Sequence, residues 1–318
     1  MSTSASFDSA GRPPLALIAG PTASGKSDLA VQLAVALERQ GRRAVVINAD
    51  SAQVYADLTI LSARTTPEDM HGIEHRLFGA WDGATACSAA DWAQRAREEI
   101  EAIHATGGVP IVVGGTGLYL RTLLDGIAPV PPIAPAVRET VRALDVVAAH
   151  AALRVEDPER ARALAPADSA RIFRALEVVR STSKPLSAWQ AERVGGIGSR
   201  VTPHPAILLP PRDWLYDRCD RRFAAMLDNG AEAEVAALLE RGLDPALPVM
   251  RAIGVPEIAA LLGREIGRDE ALSRGAQATR NYAKRQYTWF RRQPPETWPR
   301  FERNNFNLGD IFASLLRS

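Results

Sequence analysis

Short apolar runs alternate with amphipathic stretches over the first part of the chain. Residues 15–19, 44–47 and 109–113 are continuous apolar runs, each followed by glycine or polar residues. Runs of this length are typical of strands that are covered on both faces. Between them, residues 28–40 and 89–104 carry apolar side chains at helical spacing. This alternation predicts an α/β fold built on a doubly wound parallel sheet.

The pattern changes in the middle of the chain. A run of prolines over 129–135 predicts a stiff connection, and residues 136–190 have helical spacing almost throughout. The apolar run 207–209 predicts a return to the sheet, and further helices are expected after it. The predicted domains are a core, 1–126 plus 204–318, and an all-helical insertion, 127–203.

Composition excludes several classes of protein. The chain has 318 residues, 46% of them hydrophobic and 24% charged, with a net charge of +1. These values exclude a mostly disordered or fibrous chain and a uniformly basic surface, so any nucleic-acid site must be a local patch. Cys87 and Cys219 match no metal spacing and predict no disulfide framework. Residues 1–14 lack the features of a signal peptide, and no membrane span is expected, so we predict a cytoplasmic protein.

Residues 20–27 contain the first chemical motif, Gly-Pro-Thr-Ala-Ser-Gly-Lys-Ser, which fits G-x-x-x-x-G-K-[ST] between a strand and a helix. Such a P-loop cradles a di- or triphosphate with backbone N–H groups and a helix N-terminus. Lys26 would reach the terminal phosphate, and the Ser27 hydroxyl can bind a phosphate-linked Mg²⁺. The alternative is a glycine-rich turn without a ligand. The predicted diphosphate- or nucleotide-binding residues here are Gly20, Pro21, Thr22, Ala23, Ser24, Gly25, Lys26 and Ser27.

Two further strand ends carry polar residues. Asp50 follows the second strand, in the crevice where doubly wound sheets bind ligands. A carboxylate there can act as a general base or a magnesium ligand, and the alternative is an N-cap of the next turn. Thr116 lies in a Gly-Gly-Thr-Gly loop that lets a ligand approach the backbone. Glycine-rich strand ends are common, so Thr116 alone specifies no chemistry.

Several motifs occur in a fixed order along the chain. They are G-P-T-A-S-G-K-S at 20–27, D-S-A-Q-V-Y at 50–55, V-G-G-T-G-L-Y at 113–119, R-I-F-R-A-L-E at 171–177 and A-T-R-N-Y-A-K-R-Q-Y-T-W-F-R at 278–291. In this order they resemble the tRNA dimethylallyltransferase (tRNA isopentenyltransferase) family, over roughly residues 14–300. The resemblance implies a P-loop NTPase-like core and Mg²⁺ as cofactor. It also implies transfer of a dimethylallyl group from dimethylallyl diphosphate to N6 of the adenosine 3′-adjacent to the anticodon of tRNA, with release of diphosphate.

The resemblance also assigns residues to roles. Asp50 would remove the amine proton, with Lys26, Ser27, Thr116 and Arg222 as further catalytic residues. Arg218 and Arg222 would reach the diphosphate or the tRNA backbone, unless they belong to a solvated basic helix face. The implied tRNA-binding residues are Asp50, Ser51, Ala52, Gln53, Thr116, Arg138, Ala170, Arg171, Ile172, Phe173, Arg174, Arg251, Gly254, Arg280, Lys284 and Arg291. The implied partners are the anticodon stem-loop of tRNA and dimethylallyl diphosphate, with the protein as a monomer.

A basic segment near the C-terminus agrees with an RNA partner. Arg280, Lys284 and Arg291 share one helical face by their spacing, close to Trp289 and Phe290. That arrangement favours a surface that follows phosphates, although each residue alone is equally typical of a solvated helix. The chain departs from the family pattern at three places. Leu61 replaces a glycine, Val255 replaces a tyrosine and Ala170 replaces a glutamine.

Three other functions share some of these motifs. A small-molecule or nucleoside kinase also needs a P-loop and an acidic base, but not the basic helix. A free-adenylate isopentenyltransferase would lack the insertion. A tRNA-binding module with a vestigial P-loop is disfavoured by the intact Lys26, Ser27 and Asp50.

Overall fold

A computed structural model describes residues 11–302 and 307–317. The strands are β1 (Pro14–Ala19), β2 (Ala44–Asn48), β3 (Glu74–Arg76), β4 (Val109–Gly114), β5 (Thr202–Leu208) and β6 (Arg300–Phe301). Within these described residues they form one six-stranded sheet in the order β3-β2-β4-β1-β5-β6, and every pair is parallel. The predicted parallel α/β sheet is confirmed.

Helices and turns connect the strands. The α-helices are α1 (Lys26–Arg39), α2 (Ala89–Ala105), α3 (Gly117–Asp125), α4 (Pro135–Arg142), α5 (Val146–Glu156), α6 (Pro158–Ala163), α7 (Ser169–Thr182), α8 (Leu186–Ala191), α9 (Arg212–Asp228), α10 (Ala231–Glu240), α11 (Val255–Leu262), α12 (Arg268–Arg292), α13 (Leu308–Ile311) and α14 (Ala313–Leu316), and Val249–Arg251 is a 3₁₀ turn. The expected helices 28–40 and 89–104 correspond to α1 and α2, with ends shifted by one or two residues.

The sheet is covered on both faces because side chains alternate along its buried strands. On β1, Ala16 and Ile18 pack into the cluster that contains Leu29 and Leu33 of α1. Leu17 faces the opposite way and belongs to the cluster that contains Trp92 of α2. Helices on both faces are the doubly wound arrangement that the alternating pattern predicts.

Strand β5 begins five residues earlier than the predicted run 207–209. Its first half contains Pro203 and Pro205, which lie beside Leu15 and Leu17 of β1. The N–H of Thr202 donates to β1's neighbour Pro13, while the N–H of Ile207 donates towards β6. The backbone nitrogens of odd-numbered residues in β5 therefore point away from β1. At Pro203 and Pro205 there is no pairing with β6, which begins opposite Ile207. Proline is tolerated there because no ladder partner is lost.

Contacts between residues divide the chain into two compact units. The first unit runs to Leu124 and resumes at Ile197; the second is Asp125–Gly196. The predicted boundary at 203 is thus too late, because residues 197–203 lead into β5 and belong with the sheet. The predicted start at 127 differs by two residues.

The second unit is helical and has a core of its own. Val141, Leu153, Ile172 and Leu176 are each fully buried in one cluster. Asp145, Asp157 and Asp168 accept backbone N–H bonds as N-caps, so each of helices α5, α6 and α7 begins at a capping carboxylate.

The cysteines and the helix lengths bear on two further expectations. Cys87 and Cys219 are both free thiols. Across residues 11–302 and 307–317, no helix combines the length and apolar character that a bilayer crossing needs. Residues 1–10, for which the sequence predicts no signal peptide, lie outside the described residues.

Candidate active site

The P-loop connects β1 to α1 and surrounds the start of the helix. Ala23 and Gly25 both have left-handed backbone conformations, with φ of 62° and 87°, which turn the loop tightly before Lys26. The Lys26 ammonium donates to the carbonyl oxygen of Pro21 at 3.2 Å. The Ser24 hydroxyl is buried and has no hydrogen-bond partner among the described residues. A buried hydroxyl and a helix N-terminus facing one cavity suit an anionic ligand.

The ends of β2 and β4 are fastened to each other. The Thr116 N–H donates to the carbonyl oxygen of Ala49 at 3.1 Å, and the Ser51 N–H donates to the Thr116 hydroxyl at 2.9 Å. The two backbones approach so closely that a Cβ on Gly114 would lie 2.1 Å from the Ala49 carbonyl oxygen. Asp50 and Thr116 are therefore held at fixed positions on neighbouring strands.

The Asp50 carboxylate faces the site and is 8% exposed. Its Oδ1 accepts the N–H of Ala52 at 3.0 Å, so the carboxylate also caps the following turn. Asn48 folds the loop further, since its Oδ1 accepts the Asp50 N–H at 2.8 Å. A carboxylate has lone pairs on two oxygens, so capping one turn leaves it able to accept a proton. The base and N-cap interpretations are thus compatible.

Two cavities meet at Asp50. The P-loop cavity, about 270 Å³, is lined by residues 22–28 together with Arg218 and Arg222. The second cavity, about 300 Å³, has an apolar wall that includes Leu58, Leu61, Phe223, Met226 and Ile253. The residues common to both are Thr22, Asp50, Ser62, Ala63 and Arg222. A cationic compartment and an apolar compartment therefore adjoin at one carboxylate and one guanidinium.

Four cationic side chains, Lys26, Arg64, Arg218 and Arg222, line the P-loop cavity. Burial lowers the pKa of Lys26 from 10.5 to about 8; the nearby Arg222 lowers it further, and Asp50 opposes the shift. Burial, reinforced by Arg218, also lowers the pKa of Arg222. Arg218 stacks on Trp214, with its guanidinium carbon 4.6 Å from the ring centroid. Cations gathered in a buried space favour a ligand that carries several negative charges. This placement favours the ligand-binding interpretation of Arg218 and Arg222 over a solvated helix face.

Helix α12 contributes two residues, Gln286 and Tyr282, whose roles the sequence motifs did not predict. Gln286 accepts the Thr22 N–H on Oε1 at 2.8 Å, and its Nε2 donates to the Gly115 carbonyl oxygen at 2.9 Å. Tyr282, one turn earlier, lines the second cavity, close to the side chains of Thr116 and Ser51. Burial raises the pKa of Tyr282. The only available signal was the spacing of four residues, which places both side chains on one face of the helix.

The remaining residues predicted to bind tRNA in the first unit differ in availability. Lys284 and Arg291 are exposed on α12, whereas Arg280 pairs with Asp220 at 2.6 Å. Arg251 lines the second cavity. Gly254 has φ of 96°, which favours glycine.

The side chain of Gln53 forms hydrogen bonds within the protein. Its Nε2 donates to the carbonyl oxygens of Ser62 and Ala63 at 3.0 and 3.1 Å. Ala52 lines the second cavity beside it in sequence. The Gln53 amide group is thus used to hold the segment that separates the two cavities.

Six predicted tRNA-binding residues lie in the helical unit. Arg138, Ala170, Arg171 and Arg174 are exposed, and Arg171 pairs with Asp168 at 3.1 Å. Phe173 is half-buried and packs against the unit's core. Ile172 is 0% exposed, so its side chain belongs to that core. Ile172 is among the tRNA-binding residues that the resemblance implies, and this burial does not agree with a contact through its side chain.

The oxygen atoms near the P-loop suit a metal ion that is coordinated mainly by the phosphate groups of a bound substrate. Within residues 11–302 and 307–317, no group of three or more His, Cys, Asp or Glu side chains is arranged to hold a metal ion. Magnesium in phosphate sites usually takes one or two protein oxygens, the others coming from phosphates and water. Ser27 at the N-terminus of α1 and Asp50 both line the P-loop cavity and can supply those oxygens.

Comparison with known proteins agrees with this geometry. The model of the IPP transferase family matches residues 53–293. A tRNA dimethylallyltransferase of Erythrobacter litoralis is 65% identical over 306 residues, which is 96% of each chain.

Solved structures give the same result. The tRNA isopentenylpyrophosphate transferase of Bacillus halodurans has a TM-score of 0.65 and 30% identity, covering 96% of this chain and 94% of that one. A eukaryotic dimethylallyltransferase, described as acting on tRNA, has a TM-score of 0.74 and 29% identity, covering 87% of this chain and 69% of that one. With a parallel sheet, a P-loop and a family match over most of its length, the chain belongs to the IPP transferase family.

Proposed function

We propose that this protein is a tRNA dimethylallyltransferase. It transfers a dimethylallyl group from dimethylallyl diphosphate to N6 of the adenosine 3′-adjacent to the anticodon and releases diphosphate. The observation that carries the proposal is the meeting of a cationic cavity and an apolar cavity at Asp50 and Arg222. An allylic diphosphate has the same division, a highly charged head joined to a hydrocarbon.

The P-loop cavity would bind the diphosphate. Backbone N–H groups at the start of α1, the Lys26 ammonium and the guanidinium groups of Arg218 and Arg222 all lie where they can bind phosphate oxygens. These groups stabilise the negative charge that builds on the bridging oxygen as the allylic C–O bond breaks. The resulting diphosphate is a better leaving group because its charge is already balanced.

The acceptor is the exocyclic amine of adenine. Its nitrogen attacks the allylic carbon, the C–O electron pair leaves with the diphosphate, and the amine proton passes to Asp50. Asp50 fits this role because it lies between the two cavities and its carboxylate is fixed by Ala52. Thr116, one strand away, can hydrogen-bond the base while its own hydroxyl accepts the Ser51 N–H.

Mg²⁺ is the proposed cofactor, held by the Ser27 hydroxyl and by phosphate oxygens. When bound it supplies further neutralisation of the diphosphate charge. Arg218 and Arg222 neutralise the same charge from the α9 side, so the two contributions add.

The anticodon stem-loop of tRNA is the proposed partner. An adenosine must leave its stack to reach a buried carboxylate, which costs a few kcal/mol that phosphate contacts elsewhere offset. Lys284 and Arg291 on α12 and the exposed arginines of the helical unit are the proposed phosphate contacts. The cytoplasmic location and the monomeric state expected from the sequence stay predictions.

The acceptor assay tests this function directly. The protein is incubated with labelled dimethylallyl diphosphate and either unmodified tRNA or AMP, and the products are analysed by mass spectrometry. We expect tRNA to gain one five-carbon unit at the adenosine beside the anticodon. Label on AMP in preference to tRNA would indicate a free-adenylate isopentenyltransferase. A phosphate transferred from ATP would indicate a kinase.

A further inference from the structure

The segment 58–65 lies against both cavities of the candidate active site. Ser62 and Ala63 line both of them. Leu61 lines the second cavity, whereas Arg64 lines the P-loop cavity. This segment therefore forms part of the wall along which a molecule occupying both cavities would lie.

One carboxylate from α10 fixes the backbone of the segment. The N–H groups of Thr59 and Ile60 donate to Oε1 of Glu234 at 2.6 and 2.7 Å, and the Leu61 N–H donates to Oε2 at 2.9 Å. Hydrogen bonds to a carboxylate are stronger than bonds between neutral groups. Together with the two bonds from Gln53 to the following carbonyl groups, they hold the backbone on both sides of Leu61.

The Leu61 side chain lies against Gly254 at the start of α11. A Cβ on Gly254 would lie 2.7 Å from Cδ2 of Leu61 and 3.1 Å from the Phe223 ring. Leu61 therefore packs directly on the backbone at the start of α11. Its isobutyl group is a fixed part of the apolar wall of the second cavity.

The chemistry of the substrate gives this wall a function, provided that the proposed function holds. A diphosphate in the P-loop cavity places the allylic carbon one oxygen atom away. The hydrocarbon then extends past Ser62 and Ala63, along the segment that leads to Leu61. We infer that Leu61 is a specificity-determining residue that limits the transferred group to five carbons, because a ten-carbon chain needs the space that its isobutyl group fills.

The test compares two donors with unmodified tRNA as the acceptor. Transfer from dimethylallyl diphosphate and from geranyl diphosphate, its ten-carbon homologue, is measured for the native chain, Leu61→Gly and Leu61→Ala. We expect the ratio of kcat/KM for the ten-carbon over the five-carbon donor to rise about tenfold or more in both variants. Leu61→Ile, which keeps the side-chain volume, is expected to retain the native ratio.

A second pair of variants tests the same inference from outside the cavity. Glu234→Gln keeps one acceptor oxygen for Thr59 and Ile60 but places an amide NH₂ against the Leu61 N–H. The donor ratio is expected to shift in the same direction. Glu232→Gln, on the same helix but paired with Arg268 at 2.5 Å, is the matched control and leaves the ratio unchanged.

The outcomes separate this inference from the function on which it rests. Equal use of both donors by the native chain, or an unchanged ratio in the folded Leu61 and Glu234 variants, overturns the role of Leu61. Loss of five-carbon transfer in those variants without a gain for the longer donor also overturns it. Absence of five-carbon transfer by the native chain contradicts the proposed function instead.

Discussion

Gln286 accepts a hydrogen bond from the backbone N–H of Thr22, 264 residues earlier in the chain, at a distance of 2.8 Å. The same carboxamide donates to the carbonyl oxygen of Gly115, so one buried side chain joins the P-loop to the end of β4. A Cβ on Gly115 would lie 2.3 Å from Gln286 Nε2, and only glycine permits this approach. Helix α12 therefore holds the P-loop against the end of β4.

Gln286→Leu removes both bonds and leaves the part-buried Thr22 N–H and the buried Gly115 carbonyl oxygen without this partner. We expect a loss of about 1–3 kcal/mol in the free energy of unfolding and a raised KM for dimethylallyl diphosphate. Thermal unfolding and steady-state kinetics measure the two effects. Gln293→Leu, at the exposed end of the same helix, is the control and changes neither. A destabilised variant with the native KM would show that the two Gln286 hydrogen bonds do not affect diphosphate binding.

Asp50→Ala is expected to slow transfer by about 10²–10⁴-fold while diphosphate binding stays nearly intact. The reason is that the base is lost but the cations of the P-loop cavity remain. Asp50→Asn is the sharper variant, because its amide oxygen can still accept the Ala52 N–H and keep the loop in place. Single-turnover transfer and diphosphate titration give the two readouts. Native turnover in Asp50→Asn would remove Asp50 from the proton transfer.

The lowered pKa of Lys26 predicts a pH dependence of binding. Lys26 titrates at about 8 in the free protein instead of 10.5. It therefore carries its charge below pH 8 and loses it as the pH rises, whereas a bound anion favours the charged form and draws in a proton. We expect inorganic diphosphate to bind with proton uptake between pH 8 and 9.

Calorimetry in two buffers of different ionisation enthalpy measures that uptake. Lys26→Met is the control that separates the protein's proton from those of the ligand itself. If both proteins take up the same number of protons, Lys26 is not the titrating group.

Salt dependence distinguishes the basic residues of α12. Lys284→Ala and Arg291→Ala are each expected to reduce the slope of log K for tRNA against log salt by about one. Arg280→Ala is expected to change it less, because the Arg280 charge is already balanced by Asp220. Filter binding over a range of salt concentrations provides the slopes. Equal slopes for Lys284→Ala and the native protein would show that Lys284 contacts no phosphate.

The parts of the site that sequence predicts are local. The P-loop, Asp50 and Thr116 each follow a buried apolar strand, and a parallel sheet brings such strand ends to one edge. Strands β3 and β6 were missed because they are short and carry charged residues in place of apolar runs. The predicted strand 207–209 omits the first half of β5, because the prolines there are typical of a loop.

The contacts that complete the site join segments that are distant in sequence, and no pattern along the chain predicts them. Glu234 reaches the backbone of Thr59 across 175 residues, and Gln286 reaches Thr22 across an even longer interval. Both are polar residues on amphipathic helices, where a solvent-facing position is the usual expectation. Their roles depend on how α10 and α12 pack, which helical spacing alone does not specify.

Both borders of the sheet are formed by very short strands, three residues in β3 and two in β6. On β3, Glu74 pairs with Arg43 and Arg76, each at 2.6 Å, so the border carries fixed charges. A foreign extended chain needs a longer run of unpaired backbone groups to add itself to a sheet. The central hydrophobic strands are thus shielded from intermolecular pairing, and aggregation through the sheet is disfavoured even when the protein is concentrated.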